Sequence, residues 1–344
     1  MPAISSGKVL VSGANGYIAV WVVRTLLEHG FSVRGAVRSA DKGKYLTDYF
    51  APYGDRFEVV VVPDITVPGA FDEAVKGVDA IEHTASPFHF KAVDPAELLD
   101  PAIKGTTGIL ESARKYGTSV KRVVVTSSCA AVMNISDKQQ VLNELNWNDQ
   151  AVNEVENKGR EASPQAKYRA SKTQAERAAW DFVQKHQNEP GFGWDLSVMN
   201  PPLVVGPVIH DISSPDALGT SAKMMYEAFT KPGAASGGGC WVDVRDLALA
   251  HVRALQIGEA GGYENGKRFI ICAGAFAWQD WLDAAAPWTE DSDKYQKGTP
   301  GAGKEHVHLL QYKNEKSIKV LELNYRTMAD TAEAVIADYD AKGW

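Results

Sequence analysis

The sequence predicts an α/β protein built around an open parallel sheet. The chain begins with a short apolar strand, a glycine-containing turn and an amphipathic helix, which start in the segment KVLVSGANGYIA from Lys8 to Ala19. Short apolar runs then alternate with longer helical patterns as far as Met199, as expected of consecutive βαβ units. Small and hydroxyl residues also follow several predicted strands, at the edge where open parallel sheets bind ligands.

The first of these units is the feature around which the rest of the chain is organised. Gly13 lets the chain turn sharply and Gly16 lets the backbone approach a pyrophosphate, with Ala19 as the third small position. Free N–H groups and the helix dipole would face the negative charge. An ordinary turn is the alternative. Because a strand precedes the turn, a helix follows it and a second strand closes the unit at residues 32–37, the pattern favours a dinucleotide.

Four cations lie along and after the second strand, in a stretch predicted to be turn-like: Arg34, Arg38, Lys42 and Lys44. In dinucleotide folds an acidic residue at this point binds the adenosine ribose, whereas arginine or lysine binds a 2′-phosphate. No carboxylate occurs between Phe31 and Ala40, and Arg38 takes the expected place of the acid. A solvated charged loop is the alternative. The position favours NADPH.

The next two predicted strands supply further cofactor contacts. Residues 57–62 form the third strand, with Asp64 just past its end and placed to contact the adenine. Residues 71–76 are predicted as a short helix. Residues 78–83 form the fourth strand, and the small residues at 84–87 after it would let a cofactor lie close. His83 at the strand end is interpreted as a core histidine.

The fifth strand, residues 123–126, ends at Ser127 and Ser128. In an open parallel sheet this end faces the ligand crevice. The hydroxyl pair is therefore interpreted either as a strand cap or as a group that holds a substrate oxygen, and the two readings are equally supported. Residues 137–160 follow as a polar, loop-like stretch with Trp147 as its anchor.

Tyr168 and Lys172 lie four residues apart, on one face of a predicted long helix. The spacing alone is weak evidence, because two other pairs share it: Tyr263 with Lys267, and Tyr312 with Lys316. The first of these spans an Asn-Gly turn signal, and the second lies in a charged segment that no serine-ending strand precedes. Context, rather than spacing, selects Tyr168 and Lys172.

The alternation of strands and helices ends after the sixth strand, residues 196–199. Two prolines, Pro201 and Pro202, then hold the backbone extended and give a rigid edge for a nicotinamide ring. An irregular helical lid is predicted over 216–229, a helix up to Gln256 and a last strand over 268–272. We therefore expect a dinucleotide-binding domain at residues 1–205, with 241–272 returning to it. Residues 206–240 and 273–344 would form a smaller substrate-binding lobe.

Composition excludes several classes of protein. The 344 residues are 44% hydrophobic and 23% charged, with a net charge of −7, which argues against a general nucleic-acid binder. No apolar run approaches membrane-spanning length, and the first strand starts too early for a secretion signal, so a cytoplasmic location is expected. The three cysteines are widely spaced, and neither a disulfide framework nor a metal site is predicted: Cys129, Cys240 and Cys272.

Together these residues resemble the extended short-chain dehydrogenase/reductases, especially the branch with yeast and fungal NADPH carbonyl and methylglyoxal reductases and plant dihydroflavonol reductases. The resemblance covers nearly the whole chain, through segments in family order: SGANGYIA, VRGAVRS, FDEAVKGVDAIEHTASP, VKRVVVTSS, YRASKTQAERAAW, NPPLVVGP and WVDVRDLALAH. It implies a doubly wound parallel sheet (Rossmann fold), NADPH as cofactor, and a catalytic trio at Ser128, Tyr168 and Lys172.

The trio is chemically reasonable for reducing a carbonyl group. Negative charge develops on the carbonyl oxygen as hydride arrives, and Tyr168 would donate a proton to it. A free phenol has a pKa of about 10, which the ammonium of Lys172 is expected to lower. The resemblance also implies that Lys172 binds the nicotinamide ribose and that Ser128 orients the carbonyl. The predicted cofactor-binding residues are Gly13, Asn15, Gly16, Tyr17, Ile18, Arg38, Lys42, Asp64, Ile65, Thr84, Ala85, Ser86, Pro201 and Val204.

The substrate side departs from the plant enzymes. Met133 stands where flavonoid reductases carry an asparagine that binds substrate hydroxyls, which favours a more apolar ketone or aldehyde. The predicted pocket lining, for which core packing is an equal alternative, is Phe88, Phe90, Met133, Pro202, Met224, Met225 and Tyr226.

The leading hypothesis is an NADPH-dependent reductase of a small carbonyl compound, working as a monomer or homodimer and forming a chiral alcohol. A nucleotide-sugar epimerase or dehydratase on the same fold is the nearest alternative, and such enzymes usually hold NAD tightly. A protein that senses NADP without turning it over is the third hypothesis. Intact tyrosine and lysine positions disfavour it.

Overall fold

The structure is a computed structural model that describes residues 4–86, 92–258 and 266–344. In chain order, the strands of these ranges are β1 (Lys8–Ser12), β2 (Ser32–Val37), β3 (Phe57–Val61), β4 (Ala80–His83), β5 (Arg122–Thr126), β6 (Gln140–Leu142), β7 (Asp195–Asn200), β8 (Leu203–Val205), β9 (Gly238–Asp243), β10 (Arg268–Ile270), β11 (Gly274–Ala277) and β12 (Leu310–Tyr312). The helices are α1 (Tyr17–Glu28), α2 (Ala40–Tyr49), α3 (Ala96–Tyr116), α4 (Asp149–Lys158), α5 (Pro164–His186), α6 (Thr220–Thr230), α7 (Val244–Gln256), α8 (Trp278–Thr289), α9 (Glu315–Val320) and α10 (Met328–Lys342).

The main sheet has seven strands in the order β10-β7-β5-β4-β1-β2-β3. Every neighbouring pair is parallel. The strand order runs outward in both directions from β1, so the topological switch point lies between β1 and β4, where Ser12 pairs with His83. The predicted doubly wound parallel sheet is confirmed, and its ligand crevice is expected at this point.

Side chains of the central strands alternate between two helical layers. Val11 of β1 packs in a cluster with Leu26 of α1 and Leu247 of α7. Its neighbour Leu10 points to the opposite face, in a cluster with Ile109 of α3. Helix α5 lies against α3 on that second face. The sheet is thus buried on both sides, and its exposed functional surface is the edge where the strands end.

A second apolar core lies where the chain leaves β7. Strands β11, β9 and β8 form a three-stranded sheet. Its inner face packs with α6, α8 and α10 in a cluster that contains Trp241, Phe276, Trp281 and Tyr339. Strands β6 and β12 form a separate parallel pair in which Leu142 lies opposite Tyr312. Because β8 directly follows the carboxyl end of β7, this core is built at the ligand edge of the main sheet.

Two of the local predictions near β2 and β4 are wrong. Residues 40–49 form α2 instead of a turn-like stretch, since Gly43 and Leu46 are buried beneath its charged outer surface. Residues 71–76 form successive turns instead of a helix. Phe71 and Val75 are buried there, but the hydrogen bonding changes from an i+4 bond at Val75 to an i+3 bond at Lys76. The segment is too short to sustain a regular helix.

Two later predictions are also wrong. Residues 137–160 are not simply loop-like, because they contain β6 and α4. The side chain of Asn148 caps α4, and Val155 on its apolar side is buried. In addition, 268–272 is not the last strand, since β11 and β12 follow. Strand β6 is only three residues long and finds its partner β12 far along the chain, so no local pattern reveals it.

Candidate active site

The turn after β1 forms a narrow cradle of backbone. Gly13 has a φ of +64°, and a Cβ atom there would come within 3.1 Å of the Cβ of Ala85. Gly16 precedes α1 and offers no side-chain cap, so the N–H groups of the first helical turn remain available to a ligand. Helix dipole and free donors both favour an anion. The cradle therefore fits the pyrophosphate of a dinucleotide in shape and in charge.

Ser12 ties this cradle to the end of β4. Its Oγ accepts hydrogen bonds from the backbone N–H groups of Thr84 and Ala85, both at 3.1 Å. The same oxygen lies 2.9 Å from Nδ1 of His83. His83 is buried, and burial lowers its pKa to about 3, so the ring is neutral. His83 is thus a core histidine, as predicted, with Ser12 as its partner.

A cavity of about 730 Å³ extends from the cradle along the ends of β2 and β3. Arg38 and Lys42 line it, and neither forms an ion pair with any residue in the described ranges. The other two cations of the predicted cluster are paired elsewhere, Arg34 with Glu58 and Lys44 with Asp48, each at 2.8 Å. Two of four positive charges therefore remain to bind an anion in this cavity.

A second cavity of about 670 Å³ adjoins the first, and both are lined by Gly13, Gly16, Thr84 and Ser86. All the predicted cofactor residues line one or both cavities. Those of the first are Gly13, Asn15, Gly16, Arg38, Lys42, Asp64, Ile65, Thr84, Ala85 and Ser86, and those of the second include Tyr17, Ile18, Pro201 and Val204. Residues chosen from separate strand ends thus lie on one continuous crevice.

Ser128, Tyr168 and Lys172 all line the second cavity. Ser128 follows β5, and its Oγ accepts a hydrogen bond of 3.0 Å from the N–H of Ala130 in a short 3₁₀ turn. Helix α5 begins with Pro164 and is capped by Ser163, which places Tyr168 in its second turn and Lys172 one turn further. A hydrogen bond links Tyr168 to Ser128. The structure therefore brings the predicted trio together.

Burial dominates the protonation of this trio. It raises the pKa of Tyr168 to about 12, with the Ser128 hydrogen bond opposing the rise. Burial also lowers the pKa of Lys172 to about 8, opposed by the charge of Glu176. The pKa of Tyr168 is therefore raised, not lowered as predicted, because burial dominates. At neutral pH, Tyr168 is a phenol that can donate a proton, and Lys172 is mainly an ammonium.

Sequence reasoning missed Glu176, one helical turn beyond Lys172. Its Oε2 accepts hydrogen bonds from Ser127 Oγ at 2.6 Å and from the amide of Asn200 at 2.8 Å. Its Oε1 accepts from Nε of Arg268 at 2.6 Å, and both charged side chains are buried. Both carboxylate oxygens of Glu176 thus accept hydrogen bonds, and the buried ion pair connects the carboxyl ends of β5 and β7 and the start of β10 to α5.

The same network decides between the two interpretations of the serine pair. Both serines line the cavity, but the hydroxyl of Ser127 is buried and donates to Glu176, whereas the hydroxyl of Ser128 bonds Tyr168. Trp147 is confirmed as an anchor of its segment, since the guanidinium of Arg268 lies 3.8 Å from the ring centroid. The available signal for this network in the sequence was Glu176, an acidic residue one helical turn after Lys172, together with the distant Arg268.

The predicted substrate pocket is only partly correct. Met133 and Pro202 line the cavity. Met225 and Tyr226 are wrong, because neither lines it: Met225 is buried in the second core, and the ring of Tyr226 packs edge-on against Tyr339. Met224, which was also predicted, does line the cavity. The position of α6 against α8 sets which methionine faces inward. Phe88 and Phe90 lie outside the described residues.

Several lining residues come from segments that the sequence reasoning did not connect. They are Leu203 of β8, Cys240 of β9, and Leu310 and Tyr312 of β12. Tyr312 was set aside at the sequence level because its segment lay far from any serine-ending strand. The pairing of β12 with β6 brings it to the cavity. No local pattern signals that pairing.

The three cysteines are free and buried, and they share one apolar cluster despite their spacing in the sequence. Within the described ranges there is no group of three or more histidine, cysteine or acidic side chains that could hold a metal ion. In the same ranges, no helix has the length and apolarity needed to cross a membrane.

A tyrosine–lysine helix beside the fifth strand of a doubly wound sheet, with a glycine cradle at the switch point, defines an extended short-chain dehydrogenase/reductase. The chain belongs to the NAD dependent epimerase/dehydratase family, which residues 9–272 match.

Among curated relatives, the chain is 38% identical over 335 residues to the ketoreductase azaE of Aspergillus niger, covering 93% of this chain and 94% of that protein. It is 36% identical over 345 residues to the NADPH-dependent methylglyoxal reductase GRE2 of Saccharomyces cerevisiae, covering 95% and 96%. The crystal structure of yeast methylglyoxal/isovaleraldehyde reductase Gre2 complexed with NADPH superposes with a TM-score of 0.82 at 33% identity, covering 98% of this chain and 99% of that one.

Proposed function

We propose that this protein is an NADPH-dependent carbonyl reductase. The observation that carries the proposal is that Ser128, Tyr168 and Lys172 meet at the inner end of a crevice whose outer end holds Arg38 and Lys42. The relatives named above are a ketoreductase and NADPH-dependent methylglyoxal reductases, and they extend over nearly the whole chain. A carbonyl substrate would react at the inner end of the crevice, and the 2′-phosphate of NADPH would bind at the outer end.

The cofactor would be held by residues along the whole crevice. Gly13 and Gly16 leave room and free N–H groups for the pyrophosphate. Arg38 and Lys42, which form no ion pair within the described part of the chain, suit the 2′-phosphate that distinguishes NADPH from NADH. Lys172 would bind the nicotinamide ribose. When bound, NADPH supplies the hydride that reduces the carbonyl carbon.

The chain's own residues act on the carbonyl oxygen. The hydroxyls of Ser128 and Tyr168, already hydrogen-bonded to each other, would both donate to that oxygen and fix its position. Tyr168 then transfers its proton to the oxygen as negative charge develops there. Lys172, one helical turn away, stabilises the phenolate that remains. Burial keeps Tyr168 protonated until the substrate oxygen becomes basic enough to accept the proton.

The substrate is proposed to be an uncharged ketone or aldehyde with an apolar substituent. Met133, Leu203 and Met224 supply apolar wall, and Lys172 carries the one charged side chain among the described lining residues. A nucleotide sugar brings a diphosphate, which proteins usually bind through several arginines, lysines or helix N-termini. The cavity thus favours carbonyl reduction over the epimerase alternative.

We propose the corresponding division of labour between the two parts of the chain. Residues 1–205, with 241–272, bind the dinucleotide, and residues 206–240 and 273–344 form the smaller lobe over the substrate. The aromatic core around Trp281 and Tyr339 supports this lobe, and Val205 and Trp241 join it from the ends of the two dinucleotide-binding segments.

The test is to follow NADPH consumption by the purified protein with acetophenone, ethyl acetoacetate and diacetyl, with NADH in parallel. In the same preparation, the protein is denatured and any NAD or NADP released from it is measured. We expect turnover with NADPH, formation of the alcohol and weaker use of NADH. A protein that retains bound NAD and consumes no NADPH with any of the three compounds would instead support the epimerase.

A further inference from the structure

Tyr312 is a cavity-lining tyrosine for which the proposed chemistry has no use. It lies at the end of β12, whose parallel pairing with β6 sets Tyr312 opposite Leu142. Side chains alternate along a strand, so Leu310 and Tyr312 share one face, and both line the catalytic cavity. Gln311 between them is exposed. The short strand pair therefore presents a phenol to the place where the substrate would lie.

Among the residues that the structure describes, the hydroxyl of Tyr312 has only weak hydrogen-bond partners. It donates to the carbonyl oxygen of Cys129 at 3.5 Å, the outer limit of a hydrogen bond, and it also contacts the thiol of Cys129. A thiol is a poor hydrogen-bonding group. Burial raises the pKa of Tyr312 well above its usual value, so the group is a neutral donor at any working pH.

Three other hydroxyls on the cavity wall already have good hydrogen-bond partners. Tyr17 donates to the carbonyl of Gly206 at 2.9 Å, and Ser127 donates to Glu176 at 2.6 Å. The Oγ of Thr126 lies 3.1 Å from Nε2 of His251. These groups have little to gain from a ligand, because they would lose a good bond to make another. Tyr312 gains a strong acceptor at little cost.

The position of Tyr312 relative to the reacting oxygen is set by the chain itself. Its hydroxyl contacts Cys129, the residue next to Ser128, which is proposed to hold the carbonyl oxygen. Because the Tyr312 hydroxyl lies beside the residue that follows Ser128, it can donate only to a substrate oxygen close to the reacting carbonyl. Around it, Met133 and Leu310 leave apolar surface for the rest of the molecule.

We propose that Tyr312 is a specificity-determining residue whose hydroxyl donates a hydrogen bond to a second oxygen of the substrate. The enzyme then discriminates between carbonyl compounds with an oxygen one or two carbons from the reacting carbonyl and simple ketones without it. This inference rests on the proposed carbonyl reductase activity.

The test compares Tyr312→Phe with the parent enzyme on two substrate pairs, diacetyl with butanone and ethyl acetoacetate with 2-octanone. The two substrates of a pair differ in intrinsic reactivity. This difference cancels when kcat/KM of the variant is divided by kcat/KM of the parent for each substrate. We expect kcat/KM for the two-oxygen substrates to fall about threefold to tenfold, mainly through KM, with the simple ketones within about twofold. Tyr325→Phe is the matched control, because that hydroxyl bonds Ser317 at 2.7 Å outside the cavity.

The alternative outcomes separate the possible failures. Equal losses on both members of each pair, or no loss on either, would overturn the role of Tyr312 while leaving the reductase intact. An unmutated protein that consumes no NADPH with any of the four substrates would contradict the proposed function itself. Melting temperatures of both variants show whether a uniform loss comes from poorer folding.

Discussion

The cofactor end and the substrate end of the crevice are built in different ways. The cofactor end comes mainly from consecutive units, the segments after β1, β2, β3 and β4 within residues 13–86, with Pro101 of α3 added. The substrate end collects side chains from the ends of β5 and β7, from α6, and from β9 and β12, which are spread from Ser128 to Tyr312. Most of the proposed cofactor contacts follow a strand of the main sheet closely, whereas the substrate wall depends on how distant segments pack.

Because of this difference, side chains at the substrate end can be changed without altering the cofactor end. A strand-end residue of the main sheet is held by a core that is buried on both faces, so its position is rigid. The substrate wall instead depends on the second core and on a strand pair of three residues each. Specificity can therefore change through few side chains while the catalytic edge remains fixed.

The largest effect is expected from Lys172→Met, at the point where the two ends meet. The variant removes the charge that stabilises the phenolate of Tyr168, so kcat/KM with NADPH and ethyl acetoacetate should fall about a hundredfold or more. Lys185→Met, at an exposed position near the end of the same helix, is the control and should keep the parent rate. A rate within about threefold of the parent would remove Lys172 from the chemistry.

The next effect should be confined to the cofactor end. Arg38→Gln and Lys42→Met each remove a positive charge from the first cavity, and each should weaken NADPH binding about tenfold while NADH binding stays unchanged. Lys44→Met is the control, because Lys44 is paired with Asp48 on the surface. Fluorescence titration with both nucleotides measures this. Equal weakening of NADH and NADPH would mean that no 2′-phosphate is bound there.

Smaller effects are expected at the substrate end, where replacing Met225 should affect stability and replacing Met224 should affect substrate binding. Met225→Ala opens a hole in the second core and should lower the free energy of unfolding by about 2–5 kcal/mol. Met224→Ala should leave stability within about 0.5 kcal/mol, because Met224 is exposed at the cavity, and should change KM for the carbonyl substrate. Denaturant unfolding measures the stability of the two variants, and steady-state kinetics measure their KM. A loss of stability in Met224→Ala and a changed KM in Met225→Ala would mean that α6 has a different orientation.

The smallest expected effect is a shift in pH dependence. Burial lowers the pKa of Lys172 to about 8, so its ammonium is lost as pH rises through that value, and kcat/KM should decline on the alkaline side. The charge of Glu176 raises the pKa of Lys172, so Glu176→Gln should move this decline to lower pH. A pH profile with the same midpoint in parent and variant would show that Glu176 supports the site only mechanically.

The sequence was most informative where function and local pattern coincide. Gly13, Gly16, Arg38 and Ser128 follow strands with a clear apolar pattern, and Tyr168 and Lys172 lie in the first half of a long helix. Strand order then brings them together, because all the strands of a parallel sheet end at one edge. The fold and the crevice could be predicted for this reason.

The errors have a shared physical cause. Whether Met224 or Met225 faces the cavity depends on how α6 packs against the second core, which helical spacing alone does not determine. The Glu176–Arg268 pair and the approach of Tyr312 both need long-range contacts. The pKa of Tyr168 likewise depends on burial by the whole fold, which the position of Lys172 one turn away does not indicate.

The most direct test of the account is Tyr168→Phe, assayed for NADPH binding and for NADPH-dependent reduction of ethyl acetoacetate on the same preparation. We predict an NADPH dissociation constant within about twofold of the parent and a kcat/KM lowered at least about a hundredfold, because the crevice remains while the proton donor is lost. Unchanged turnover would contradict the central claim that Tyr168 delivers the proton at the junction of the two cavities.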